Sequence, residues 1–203
     1  MEPKYTFFYN SISPFSNFHR APFFHTNTMF LTSEHCFMWY KALSFWDTAT
    51  AEAILKAKTP AEAKAFGRTI ASYSDTAWDK IADDIMYYSV LSKFRGNPNA
   101  CSELMRTGDS VLVECSPSDK RWGIGLGIGD GRRLDESKWR GQNRLGLALM
   151  RARDKIKSDQ HTSRFRLIKR DSLEILTDNM NLDECHEATF DFSDGTYWIV
   201  TDY

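Results

Sequence analysis

Paired cysteines, long apolar runs and a strong charge of one sign are all missing from this chain of 203 residues. Its four cysteines, Cys36, Cys101, Cys115 and Cys185, are scattered and form no CxxC pair. That spacing argues against a thiolate metal site or a disulfide framework, so reduced thiols are expected. The five histidines show neither HxxxH nor HExxH spacing, and no metal site or cofactor is expected. GxSxG and Walker A sequences are absent too, which removes the commonest serine-hydrolase and nucleotide-triphosphate signatures. No apolar stretch approaches the ~20 residues a membrane span needs. The start, Met1 to Tyr5, has no basic segment leading into an apolar one, so the expectation is a cytoplasmic protein with no membrane contact. No internal repeat is visible.

A folded globular chain is indicated by what is there: 42% hydrophobic and 14% aromatic residues. The length suits one domain with a sizeable core. The net charge of −1 is unevenly spread: residues 157–203 hold 5 Lys+Arg and 10 Asp+Glu, a net of −5, leaving +4 on the first 156. A mildly basic body is not a nucleic-acid signature by itself, but it is compatible with an anionic ligand.

Local patterns predict a mostly α (α+β) protein. Thr6 to Tyr9 reads as a strand, and Ser11 to Phe18, with Pro14 and Asn17, as a loop. Ser33 is a plausible cap that places Glu34 in the first turn of a helix. Thr59-Pro60 starts another helix, ending near Gly67. Ser74 or Asp75 caps a long amphipathic stretch with Trp78, Ile81, Ile85, Tyr88 and Leu91 at helical spacing. Gly96-Asn97-Pro98 ends it, and a further helix runs to about Arg106. Val111 to Val113 is a strand, and Leu145 to Ile156 the last helix of the body. In the tail, Phe165 to Lys169 reads as a strand. Asp194-Gly195 between two alternating segments, Ala188 to Ser193 and Thr196 to Thr201, reads as a hairpin. Residues 1–156 are therefore expected to form the functional domain, and 157–203 an acidic, β-rich extension packed on it.

Five glycines, Gly123, Gly125, Gly127, Gly129 and Gly131, alternate inside the long stretch from Cys115 to Gln142. The spacing does not fit GxGxxG, and no helix follows at once, so a dinucleotide fold is not indicated. A loop that orders over a ligand is the preferred reading, against a plain flexible loop.

Two carboxylates stand out. Glu34 sits in Thr32-Ser33-Glu34-His35, and Asp119 in Ser116-Pro117-Ser118-Asp119 before Trp122-Gly123. Paired carboxylates with tryptophans nearby suit the cleavage of a glycosidic bond, whose transition state is cationic. On position alone, the favoured reading of Glu34 is service to the helix dipole and a cap, Asp119 is a turn residue, and Trp78 belongs to an apolar face. Lys41, Arg68 and Lys93 are candidate phosphate binders.

Taken in order, these segments resemble the NADAR family, also described as YbiA-like N-glycosidases, from about Phe8 to Ile156. The resemblance rests on Phe8-Tyr9 with Pro14 to Phe18, on Ser33-Glu34-His35 with Lys41, and on Ala63-Lys64 with Gly67-Arg68. It continues through Trp78, Met86, Lys93-Phe94, Thr107-Gly108 and Leu112-Val113-Glu114, and closes on Asp119 to Gly123 and Gly141 to Met150. It implies a compact helical fold with a few short strands and hydrolysis of a ribosyl C1′–N bond. It carries catalytic roles onto Glu34, Trp78 and Asp119. Asn17, Lys41, Arg68, Lys93, Trp122, Gly123 and Asn143 are then expected to bind substrate, with Asn17 and Asn143 on ribose hydroxyls. Two substrate classes follow: an ADP-ribosyl group on guanine in nucleic acid, or a phosphorylated ribosylamino-pyrimidine of riboflavin synthesis. A non-catalytic module recognising ADP-ribose or a nucleotide stays open beside them. The glycine stretch and the acidic tail depart from the family's pattern.

Overall fold

The computed structural model describes residues 4–159 with their side chains, and Phe165–Lys169, Ile175–Met180 and Tyr197–Thr201 by their backbone. Helices dominate. In chain order the elements are β1 (Tyr5–Phe8), β2 (Phe23–His25), β3 (Thr28–Phe30), α1 (Ser33–Ser44), α2 (Thr48–Lys56), α3 (Pro60–Phe66), α4 (Asp75–Asp79), α5 (Ala82–Arg95), α6 (Pro98–Arg106), β4 (Val111–Glu114), α7 (Arg144–Asp159), β5 (Phe165–Lys169), β6 (Ile175–Met180) and β7 (Tyr197–Thr201).

Helix starts follow local chemistry. The Thr59 hydroxyl accepts from the Glu62 N–H while Glu62 reaches back to the Thr59 N–H, a full capping box with Pro60 in the first turn. The cap of α1 is Thr32, one residue before the expected Ser33, and its hydroxyl accepts from the His35 N–H. Glu34 keeps its place in the first turn. The long stretch expected from Asp75 to Arg95 is two helices. The chain turns at Lys80-Ile81, where the Ile81 N–H reaches the Trp78 carbonyl at 3.1 Å. One continuous helix would place Trp78 and Ile81 on one stripe; the turn buries Trp78 and leaves Ile81 39% exposed.

Helix α5 packs on α7 and on α1, and α1 packs on α2 and α3. The main core lies among these helices, with Phe37, Val90, Leu91, Phe94, Leu145, Leu149 and Ile156 buried in it. Strands β1 and β4 pair in parallel, Tyr5 opposite Val111 through Phe8 opposite Glu114. Alternation along β4 serves two cores: Leu112 joins the helical one, while Val113 packs with Cys115, Ile124 and Leu126. Strands β2 and β3 form a hairpin through Thr26 and Asn27, both at positive φ. Neither this hairpin nor α2 was expected from local pattern. A two-residue turn without glycine and three-residue strands leave little periodicity to read.

In the C-terminal extension, β5 pairs antiparallel with both β6 and β7, and β7 lies beside β2. β6 is an additional strand. The other arm of the expected hairpin, 188–193, and its turn at 194–195 lie outside the described residues.

Candidate active site

The parallel pair β1/β4 ends at Phe8 and Glu114, and a cavity of about 140 Å³ opens nearby. Carboxyl ends of parallel strands are where loops most readily gather functional side chains. Ser16, Asn17 and Phe18 line the cavity from the loop after β1. Glu34, Phe37 and Met38 come from α1, Lys64 from α3, Met86 from α5, Glu114 from β4, and Asp119 and Trp122 from the turn after β4.

Each wall is tied to its neighbour. The Glu34 N–H donates to the Asn17 carbonyl at 3.1 Å, and the Ser33 hydroxyl to Asn17 Oδ1 at 3.0 Å. Asn17 Nδ2 reaches Met86 Sδ at 3.2 Å. These bonds tie the first turn of α1 to the loop after β1. Asp119 shapes its own turn: Oδ1 accepts from the Arg121 and Trp122 N–H groups at 2.9 and 2.8 Å. Gly123 seats that turn on β4. A side-chain carbon there would come within 2.9 Å of the Glu114 carbonyl, which accepts from the Ile124 N–H.

Three carboxyl groups thus face one cavity. Glu34 is 4% exposed, and burial pushes its pKa up to about 7. Lys64 opposes that rise, the Asp119 charge adds to it, and Arg68 and Lys41 pull the other way. Burial also takes Glu114 to about 7, with Asp119 and Glu34 adding and Lys64 opposing. Among the described residues, Glu34 Oε1 and Glu114 Oε2, both buried, have no hydrogen-bond partner. Such orphaned acceptors are rare in folded proteins and mark places built for an outside donor or for a retained proton.

The expected site residues divide. Glu34, Asp119, Asn17 and Trp122 come together at the cavity. Arg68 is exposed, close enough to act on the Glu34 charge. Half-buried Lys41 donates to the Gly67 carbonyl at 2.8 Å and lies over the Tyr73 ring. Its pKa is lowered, by burial first and then by Arg121. Trp78 does not line the cavity. It is 2% exposed and stands behind Phe37, ring centroids 5.1 Å apart, while Trp122 meets the same Phe37 at 5.0 Å. The apolar-face reading of Trp78 therefore describes its surroundings better than direct contact with substrate.

Three of the residues expected to bind substrate have other neighbours in the structure. Lys93 is fully buried, with Nζ donating to the Pro14 and Ser16 carbonyls at 2.7 and 3.1 Å; it anchors the loop that carries Asn17. Asn143 is consumed by the backbone of β4. Its Nδ2 donates to the Leu112 carbonyl at 2.8 Å, and its Oδ1 accepts from the Glu114 N–H at 3.1 Å. Gly123 packs the turn and does not line the cavity. Nor does the glycine-rich segment close over the site: no residue of 124–142 is among those lining the cavity. Ile124 and Leu126 are buried against the far face of β4, with Trp139 packed beside them.

Glu114 and Lys64 were missed as site residues. The available signal for Glu114 was an acidic residue closing the apolar run Val111-Leu112-Val113, the only charge at the end of that strand.

A family model described as the NADAR domain matches residues 6–157. The chain is 37% identical over 125 residues to N-glycosidase R617 of Acanthamoeba polyphaga mimivirus, which covers 62% of this chain and 74% of that protein. It is 34% identical over 155 residues to N-glycosidase Npun_R5314 of Nostoc punctiforme, covering 75% of this chain and 92% of that protein. The NMR structure of the E. coli protein YbiA is similar at a TM-score of 0.66 and 27% identity, across 80% of this chain and 90% of that one.

Proposed function

This chain belongs to the NADAR family, and from that membership we propose that it is an N-glycosidase that removes ADP-ribose from guanine bases of nucleic acid. Hydrolysis of an N-glycosyl bond is the activity for which the relatives R617 and Npun_R5314 are named. The observation that carries the reading is the cavity itself: three carboxyl groups inside it, with the cations Lys64, Arg68 and Lys41 close enough to act on the Glu34 charge. The carboxyl groups suit a cationic sugar, and the cations suit its phosphates.

Cleavage of C1′–N places positive charge on C1′ and the ring oxygen. Asp119, whose negative charge both glutamates feel, faces that charge and stabilises it. Glu34 keeps its proton up to about pH 7 and gives it to the leaving nitrogen as the bond breaks. Water adds its oxygen to C1′, and its displaced proton returns to the carboxylate that gave one up, so the products are a free sugar and a free amine. Phe37 and Trp122 offer apolar faces to the base.

The test is HPLC-MS of purified protein incubated with guanine-ADP-ribosylated DNA, with NAD, and with the ribosylamino-pyrimidine phosphate of riboflavin synthesis, using Asp119→Asn as control. ADP-ribose released from DNA by wild type alone is expected. Ribose 5-phosphate from the pyrimidine alone would move the substrate to metabolism. Binding of ADP-ribose with no turnover of any substrate would make the chain a recognition module.

A further inference from the structure

The mechanism above uses Glu34 and Asp119 and leaves Glu114 without a task. Its position is well defined. The residue ends β4 opposite Phe8; its N–H is held by Asn143 Oδ1 and its carbonyl by the Ile124 N–H. Among the described residues nothing meets its Oε2, and Glu34 Oε1 is in the same condition. With Glu34 holding its proton for the leaving nitrogen, Glu114 Oε2 is the buried acceptor left over, so the portion of a ligand seated against it must carry a donor. A sugar undergoing C1′–N cleavage has such a portion beside the reacting carbon, its 2′- and 3′-hydroxyls. If Asp119 faces C1′ and Glu34 the leaving nitrogen, the remaining carboxyl group is the one left for the hydroxyl on the neighbouring carbon.

We infer that Glu114 accepts a hydrogen bond from the 2′-hydroxyl of the sugar being cleaved and so selects ribosyl over 2′-deoxyribosyl groups. The inference rests on the N-glycosidase reading of the site. A hydrogen bond to this hydroxyl tightens as charge grows on C1′, so it acts on the rate as well as on affinity. Removal of the hydroxyl leaves the carboxyl group buried and unpaired, which is how a polar site rejects an analogue lacking one donor.

The experiment compares ADP-ribosylated guanosine and the ribosylamino-pyrimidine phosphate, each with a counterpart lacking the 2′-hydroxyl of the sugar being cleaved. Each catalysed rate is divided by its own uncatalysed rate, because loss of the hydroxyl makes the bond intrinsically more labile. Wild type is expected to accelerate the ribosyl form at least ~100-fold more than the deoxyribosyl form. Glu114→Ala should bring the two within about fivefold, mainly by slowing the ribosyl form, and Glu114→Gln, which can still accept, should fall between. Equal acceleration of both forms by wild type, or full preference kept in Glu114→Ala, overturns the assignment while leaving the N-glycosidase reading in place. No turnover of either ribosyl form overturns both. Should Glu114→Ala fail to fold, the wild-type comparison and the isosteric Glu114→Gln decide.

Discussion

The seam between β4 and the helices and the cavity beside it both bury polar side chains, yet they treat them differently. Along the seam, Asn143 spends its amide on the Leu112 carbonyl and the Glu114 N–H, and between α5 and the loop after β1 Lys93 likewise spends its Nζ on two loop carbonyls. In the cavity, Glu34 and Glu114 each keep a buried oxygen with no partner among the described residues. The first pattern holds backbone in place. The second leaves the chain incomplete until something enters. Burial alone does not separate scaffold from site; the accounting of donors and acceptors does.

The largest expected break in this comparison is catalytic. Glu34→Gln or Asp119→Asn should lower kcat by at least ~100-fold on the substrate that wild type turns over, with the fold kept by circular dichroism. Near-normal turnover in both would remove these residues from the chemistry.

The seam should answer in stability instead. Asn143→Ala orphans two buried backbone groups, at about 1–3 kcal/mol each, and should lower Tm by several degrees. KM measured well below that Tm should stay unchanged. A raised KM at constant Tm would restore Asn143 as a sugar ligand.

A smaller effect tests the cavity from the side of pH. Folding raises the pKa of Glu34 from 4.5 to about 7, so the folded state binds its proton more tightly than the unfolded state does. Its contribution to stability is complete below about pH 4.5 and is lost as pH rises through about 7, where a buried charge must be carried. Glu34→Gln should therefore raise stability at pH 8 by roughly 1–3 kcal/mol and change little at pH 4. Equal shifts at both pH values in thermal denaturation would contradict the raised pKa. Gain of stability with loss of turnover is the exchange expected at a functional site.

Smallest is the exposed Arg68. Arg68→Ala should raise KM for a phosphate-bearing substrate by about three- to tenfold at constant kcat, since an exposed, screened charge contributes modestly. A fall in kcat instead would move Arg68 into the chemistry.

Much of the scaffold was legible before the structure, because its signals are local. Thr59-Pro60 with Glu62 is a helix start by chemistry alone, and Leu145 to Ile156 shows its stripe. The break at Lys80-Ile81 was not, since Trp78 and Ile81 share a helical stripe and only tertiary packing separates them. The short hairpin around Thr26-Asn27 lacks the glycine that would announce it. At the site, Glu34 and Asp119 were legible as carboxyl groups in turn-like places, and the family resemblance joined them. The partners of Lys93 and Asn143 were not legible for one shared reason: composition shows a polar residue, while its partners are carbonyls and N–H groups distant in the chain. Glu114 was missed for the converse reason. A glutamate closing a strand looks like a solvated end until the loop after β1 and the first turn of α1 are placed against it.

Scaffold and site differ in which buried polar residues meet a ligand. Carbon-detected NMR of the Glu34 and Glu114 carboxyl groups, with the Asn143 side-chain amide as internal reference, can be followed while ADP-ribose is added. Both carboxyl signals should move in step with occupancy, with Asn143 unmoved. Movement of the Asn143 amide with both carboxyl signals constant would contradict the division between seam and cavity.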